Sequence, residues 1–491
     1  MSAEQPSGQL VLNDPSLLQD QCLIGGKWVG ADSGATFAVK DPSTGETLAD
    51  VPDMGAAETR QAIAAAKDAL PAWRAKTGKE RAAVLRRWND LILENKADLA
   101  AIMTAEQGKP LPESVGEIMY GAALVEWFAE EAKRIYGDTI PSPWPGKRIV
   151  VLKEPVGVCA AITAWNFPLA LVTRKTAPAI AAGCTVVVKP AEQTPLCATA
   201  LAVLAERAGI PAGVFNLVTG SDPVPIGGEL TANPDVRKVS FTGSTEVGRL
   251  LMRDSAETVK RLTLELGGNA PFIVFEDADI DAAVAGAILS KYRNAGQTCV
   301  CADRLFVQSS IYDEFANRFA AAVAKLTIGD GRTEGVDVGP LIDDAALKKV
   351  MAHVEDAQRH GGKVLTGGRQ PDQGGTFYEA TVITGATPDM LVAKEETFGP
   401  VAPIFKFETE EDVIAQANNT EYGLASYLYT NDTGRVWRVS EALEYGMVGV
   451  NTGFITTEVA PWGGVKQSGV GREASSYGIE EYLELKYLCL G

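Results

Sequence analysis

Histidine is nearly missing from this chain: among 491 residues there are two, His353 and His360. Two imidazoles seven positions apart on a polar segment build neither a zinc cluster nor a Ser-His-Asp triad, so no metal is expected. Cysteine is sparse and odd in number, seven in all, scattered at 22, 159, 184, 197, 299, 301 and 489. That scatter speaks against a disulfide framework and suits a reduced, cytoplasmic protein. Positive charge is short as well, with 45 Lys and Arg against 63 Asp and Glu and a formal net charge of −18. Nucleic acid and anionic membrane are therefore not expected partners, although a small anion can bind wherever the local field is positive. No basic residue precedes Lys27 and no apolar run accompanies it, so no signal peptide is expected. The longest uncharged stretch, 155–173, contains Pro155, Asn166 and Pro168 and reads as strand followed by loop, not as a membrane span.

What is present is ordinary globular material, 46% hydrophobic and 22% charged, long enough to divide into two or more domains. Between 56 and 137 apolar residues recur at three- and four-residue spacing, which predicts scaffold helices without chemistry of their own. From 156 to 274 strands alternate with helices, the strands falling at 156–162, 185–188, 214–218, 238–241, 263–266 and 272–275. Such alternation predicts an α/β fold with a parallel sheet covered on both faces, whose ligands sit beyond the carboxyl ends of the strands. A helix is expected over 277–294, capped by the acidic run around Asp277 and Asp279, and a second α/β domain from 305 to about 451. Two lone strands, 147–153 and 481–488, need partners. In the second, Leu483, Leu485 and Tyr487 alternate with charge, and its partner is either this chain or another subunit.

The chemistry sits where the strands end. Residues 294–304, NAGQTCVCADR, follow the helix and set Cys299 among small and amide side chains. A thiol there is either an inert buried group or a nucleophile activated by its surroundings. After the first strand, the Asn166 amide is either a turn residue or a donor to a developing oxyanion. After the second, Lys189 and Glu192 form an exposed ion pair or bracket an adenosine ribose, the Glu disfavouring a 2′-phosphate. After the fourth, FTGSTEVG (241–248) opens a helix whose amides can cradle a pyrophosphate. It is neither G-x-G-x-x-G nor a Walker loop, since Arg249-Leu250 replaces Lys-Ser/Thr. Glu265, beside Gly267 and Gly268, is a surface carboxylate or a general base, and Glu396 is a further carboxylate on a Gly-Pro loop.

WNFP, KPAE, FTGS, LELGGNAP, GQTC and EETFGP, in this order and across nearly the whole chain, resemble the NAD(P)-dependent aldehyde dehydrogenase superfamily. GQTCVC, VTRK at 172–175 and the C-terminal GREASSYGIEEYLELKYLCLG resemble its succinate-semialdehyde dehydrogenase branch. The resemblance implies Cys299 as nucleophile, Asn166 with the Cys299 N–H as oxyanion donors, and Glu265 as the base that activates the hydrolytic water. It implies Trp165, Lys189, Glu192, Gly243, Ser244, Gly248, Leu266 and Glu396 as cofactor-binding residues, with NAD preferred on account of Glu192 and NADP possible. It also implies an aldehyde dehydrogenase-like fold: an NAD-binding domain from 1–137 and 156–267, a catalytic domain from 268–455, and an oligomerisation arm from 138–155 and 478–491. A homodimer or homotetramer is expected, acting on a small aldehyde. A CoA-acylating relative would typically lack the base at 265.

Arg174 and Arg293 match the arginines that bind the substrate carboxylate in that branch, and a loop hydroxyl is kept by Thr456. The branch usually has Ser there, so the extra methyl leaves glutarate semialdehyde as a competing substrate, with a broader-specificity aldehyde dehydrogenase as the other alternative. Cys301, two residues from the nucleophile, is either a packed core thiol or a resolving thiol for a redox switch with Cys299.

Overall fold

A computed structural model describes residues 10–491. Two sheets carry the chain. The first has the order Gly469–Val470, Arg261–Glu265, Val236–Thr242, Val158–Ile162, Thr185–Lys189, Phe215–Leu217. Its last five strands are parallel, and Gly469–Val470 adds antiparallel to the outer edge of Arg261–Glu265. Both faces are covered, and the sequence shows why. Cys159, Ala161, Val186 and Val188 enter one core, while Val158, Ala160, Ile162 and Val187 enter the other. Alternate side chains leave opposite faces of a strand, so uninterrupted apolar runs such as TVVV require helices on both sides. Ala170–Ala182 and Leu196–Arg207, backed by Gly78–Glu94, Lys96–Gln107 and Leu111–Glu131, cover the first face. Ala56–Arg74, Pro223–Ala232 and Thr245–Ser255 cover the second.

The second sheet runs Lys363–Thr366, Thr381–Thr384, Val401–Phe407, Ala302–Gln308, Ala270–Val274, Ala425–Tyr429, Met447–Val450. It is parallel except for its first edge strand. Here too the aromatics sort by parity: Phe272 and Tyr427 face one core, Phe275, Phe306 and Phe405 the other. The strand expected at 272–275 thus runs Ala270–Val274 and belongs to this second sheet, not to the first. Gly267 and Gly268 let the backbone cross from one sheet to the other. A Cβ on Gly268 would lie 2.1 Å from the Cys299 carbonyl.

The helix expected over 277–294 is shorter, Ile280–Tyr292. Asp279 caps it, accepting the Ala282 N–H at 3.1 Å. Asp277 is drawn away to Thr430, the Asn431 N–H and Arg435. After Tyr292 the backbone turns left-handed at Asn294 (φ 52°) and Ala295 (φ 55°), which ends the helix and redirects the chain toward Cys299.

The two lone strands pair with each other inside the chain. Leu483–Leu490 lies antiparallel to Arg148–Pro155 from Leu483↔Pro155 to Leu490↔Arg148, with Asp138–Ile140 on the far side. The outer edges of this small sheet have no partner strand among the described residues. No described helix is long and apolar enough to cross a membrane, and the described residues contain no cluster able to hold a metal ion.

Candidate active site

The carboxyl ends of the first sheet, the left-handed turn after Tyr292 and the helix Leu111–Glu131 enclose a cavity of about 190 Å³. Cys299, Glu265, Asn166, Arg174, Arg293 and Thr456, widely separated in the chain, all line it. The Cys299 thiol is half-buried, whereas Cys22, Cys159, Cys184, Cys197 and Cys301 are fully buried. Shielding from solvent pushes its pKa up to about 12, with Glu396 and Glu265 adding to the rise and Arg174 opposing it. It is a thiol at neutral pH, so attack requires that its proton leave at that moment.

Glu265 is the last residue of its strand, and both carboxyl oxygens are buried without a hydrogen-bond partner. Burial raises its pKa well above the ordinary carboxylate range, and nearby Glu473 adds to this, against Arg174, Lys175 and Arg472. Once ionised, a partnerless carboxyl at a cavity wall is free to take a proton from water. Asn166 donates from Nδ2 to the Gln297 carbonyl at 3.1 Å, which ties it to the cysteine segment and leaves one amide hydrogen unused.

The two arginines are held differently. Arg174 donates to the Tyr120 hydroxyl at 3.1 Å, stacks 4.5 Å from the Trp462 ring and stands 3.7 Å from Glu473. Arg293 lies against rings, 5.5 Å from the Phe167 centroid and 5.2 Å from that of Phe454. Cys301 does not line the cavity. Its sulfur is packed against the Thr298 hydroxyl at 2.6 Å and the Gly296 carbonyl at 3.2 Å. A bond to Cys299 would have to break both contacts.

Sequence reading missed two contributors. Helix Leu111–Glu131 places Glu113, Glu117 and Tyr120 at i, i+4 and i+7, and each reaches a different site segment. Glu113 accepts the Asn294 N–H at 2.8 Å. Glu117 accepts the Leu169 and Ala170 N–H groups at 3.0 and 3.1 Å and pairs with Lys109 at 2.5 Å. Lys109 in turn donates to the Asn166 carbonyl at 2.7 Å. Polar residues at helical spacing on a largely apolar helix were the available signal. The other contributor is Glu473, bonded to Lys175 at 2.5 Å and Ser240 at 3.2 Å, for which no sequence signal stands out.

The other residues singled out from sequence do not line this cavity and lie at or near strand ends. Lys189 and Glu192 are 3.0 Å apart at the end of Thr185–Lys189, with Glu192 partly exposed. Ser244 caps Thr245–Ser255, accepting the Val247 N–H, and Gly243 precedes it. A Cβ on Gly248 would sit 2.4 Å from Leu266. Trp165 packs edge-on against Phe398 at 5.4 Å. Glu396 accepts the Gly268 N–H at 2.9 Å, and burial, with Asp303, pushes its carboxyl up to about 8.

The model of the aldehyde dehydrogenase family matches residues 28–488. The chain belongs to that family. The glutarate-semialdehyde dehydrogenase of Pseudomonas aeruginosa is 62% identical over 480 residues, 98% of this chain and 99% of its own. The NADP(+) succinate-semialdehyde dehydrogenase of Escherichia coli is 60% identical over 480 residues, with the same coverage of 98% and 99%. The solved succinate-semialdehyde dehydrogenase of Burkholderia pseudomallei superposes with a TM-score of 0.97 at 64% identity, over 98% of this chain and 99% of that one. An aldehyde dehydrogenase is an NAD(P)-dependent oxidoreductase, and this one fits a dinucleotide on structural grounds. The first-turn amides of Thr245–Ser255 lack intrahelical acceptors. The Thr242 hydroxyl is buried without a partner, and a Cβ on Gly267 would come within 3.2 Å of the Glu396 carboxylate.

Proposed function

We propose that this aldehyde dehydrogenase oxidises an ω-carboxylate semialdehyde, succinate semialdehyde to succinate in the first instance, with glutarate semialdehyde as the alternative substrate. The observation that carries this reading is the company of Cys299: one small cavity holds the thiol, a partnerless carboxyl and two guanidinium groups, Arg174 and Arg293. Guanidinium is the side-chain group best matched to a carboxylate, and two of them line this cavity on a protein whose net charge is −18. Relatives named for succinate and for glutarate semialdehyde, both at 60% identity or more, support the same substrate class. Thr456 in the cavity wall is the residue whose added methyl bears on chain length.

The reaction divides at Cys299. Its sulfur adds to the aldehyde carbon as the thiol proton leaves to solvent, and the unused Asn166 amide hydrogen and the Cys299 N–H steady the oxyanion. NAD(P), when bound, supplies the hydride acceptor that turns this adduct into a thioester. Glu265 then takes a proton from water, the hydroxide attacks the thioester carbonyl, and the acid departs as the sulfur is released. Glu396 is the weaker candidate for base, because its carboxylate is already bonded to the Gly268 amide.

Lys189 and Glu192 would hold the adenosine ribose, Gly243, Ser244 and Gly248 the pyrophosphate, and Glu396 the nicotinamide ribose, with Trp165 and Leu266 alongside. Glu192 favours NAD, since its carboxylate would face a 2′-phosphate, while the Escherichia coli relative is named for NADP(+). The small sheet of Asp138–Ile140, Arg148–Pro155 and Leu483–Leu490 would join subunits into a homodimer or homotetramer. The reading is tested with a panel of C3 to C6 aldehydes, with and without a terminal carboxylate, assayed with each nicotinamide cofactor. A clear preference for the ω-carboxylates is expected, and equal kcat/KM for charged and neutral aldehydes would sink it.

A further inference from the structure

Helix Leu111–Glu131 brings to the cavity a carboxylate that the reaction above does not use. Glu113 lines it, half-buried, and accepts the backbone N–H of Asn294 at 2.8 Å. Asn294 and Ala295 hold the left-handed angles φ 52° and 55°, which residues with a Cβ keep only where their surroundings insist. The Asn294 side chain, bonded to the Asn166 carbonyl at 3.0 Å, is one restraint on this turn, and Glu113 is another from a separate element. Arg293 immediately precedes the turn, so the turn sets where its guanidinium lies between Phe167 and Phe454.

Glu113 also acts by charge. Burial pushes its carboxyl up to about 7, while Lys109, the Asn294 N–H and Arg293 pull it down and Glu117 adds to the rise. Lys109 is already committed to Glu117 in a pair that is 1% and 2% exposed. Lys109 still acts on Glu113 more strongly than Arg293 does, and Arg293 is the second cation in its field and the one not held in a buried pair. A substrate carboxylate that approaches Arg293 meets a guanidinium already partly compensated, next to a second negative charge.

We propose that Glu113 tunes substrate preference: its acceptor oxygen positions Arg293 through the Asn294 turn, and its charge weakens that guanidinium's hold on a terminal carboxylate. The inference rests on Arg293 as a carboxylate ligand. A weakened hold has a use, because the product carries two carboxylates where the substrate carries one, and both must leave.

Four proteins test it at about pH 8.5, where a carboxyl of pKa near 7 is ionised: the unaltered enzyme, Glu113→Gln, Glu113→Ala and Arg293→Gln, each assayed on succinate semialdehyde and on butanal. Glu113→Gln keeps the acceptor and removes the charge. The ratio of the succinate-semialdehyde KM to the butanal KM and the inhibition constant of succinate should both fall about twofold to fivefold, as expected for loss of one solvent-edge charge interaction. Glu113→Ala removes the acceptor as well, and kcat should fall on both substrates, with Gln the rescuing variant. Arg293→Gln should raise KM for succinate semialdehyde alone. If it does so while Glu113→Gln moves neither KM, or moves both alike, the role of Glu113 is overturned and the carboxylate reading survives. If Arg293→Gln does not discriminate between the substrates, both fall.

Discussion

Glu265 is placed so that its protonation decides the second half of the reaction. Its pKa is raised, so the fraction able to act as base grows as pH rises, and thioester hydrolysis should quicken well above the pH at which an ordinary carboxylate is already ionised. Glu265→Gln should leave a burst of reduced nucleotide of about one equivalent while steady turnover drops about a hundredfold or more. Stopped-flow absorbance resolves the two phases, and a full steady rate without a burst would remove Glu265 from the role. Arg174→Ala should raise KM for succinate semialdehyde about tenfold to a hundredfold while leaving a neutral short aldehyde nearly untouched. Because Arg174 also opposes the rise in the Glu265 pKa, the same variant should shift the pH–rate profile on the neutral aldehyde toward alkaline values. Steady-state kinetics across pH checks both effects in one series.

Among the elements, Leu111–Glu131 is the one whose importance a sequence conceals. Its helical period was legible, but a period says which residues share a face and not what that face meets. Glu117 looks like a solvated charge until Leu169, Ala170 and Lys109 are seen around it. Glu117→Ala would strand the fully buried Lys109 ammonium and should destabilise the protein by about 3–5 kcal/mol, while Glu117→Gln should cost less by keeping acceptors for the two amides. Denaturant midpoints measure the difference. The short motifs fared otherwise. Cys299, Glu265 and Asn166 drew attention because each follows or ends a strand or helix, Arg174, Arg293 and Thr456 only through the resemblance to the succinate-semialdehyde dehydrogenase branch, and the structure gathers all six around one cavity. The left-handed turn at Asn294 and Ala295 was not legible, since neither residue is glycine and its restraints come from Asn166 and Glu113, about 130 and 180 positions away.

For the whole molecule, the alternation of strand and helix gave the parallel sheets, yet the change of sheet after Gly268 was hidden, because 263–266 and 272–275 look alike as apolar runs. The sheet of Arg148–Pro155 and Leu483–Leu490 leaves Leu485 and Tyr487 66% and 58% exposed, more apolar surface than an edge strand ordinarily shows to water. If subunits join there, Leu485→Asp with Tyr487→Asp should lower the mass seen by light scattering while the circular dichroism of the fold is kept. An unchanged mass would send the interface elsewhere.

Gly469–Val470 completes the first sheet beside Leu264 and Glu265, and Glu473 follows within a few residues to set the charge around the base. A ribosome that has already made the thiol and its carboxyl partner still has about 170 residues to add before that carboxyl has its final neighbours. Competence for turnover therefore arrives late and all at once, with the tail of the chain.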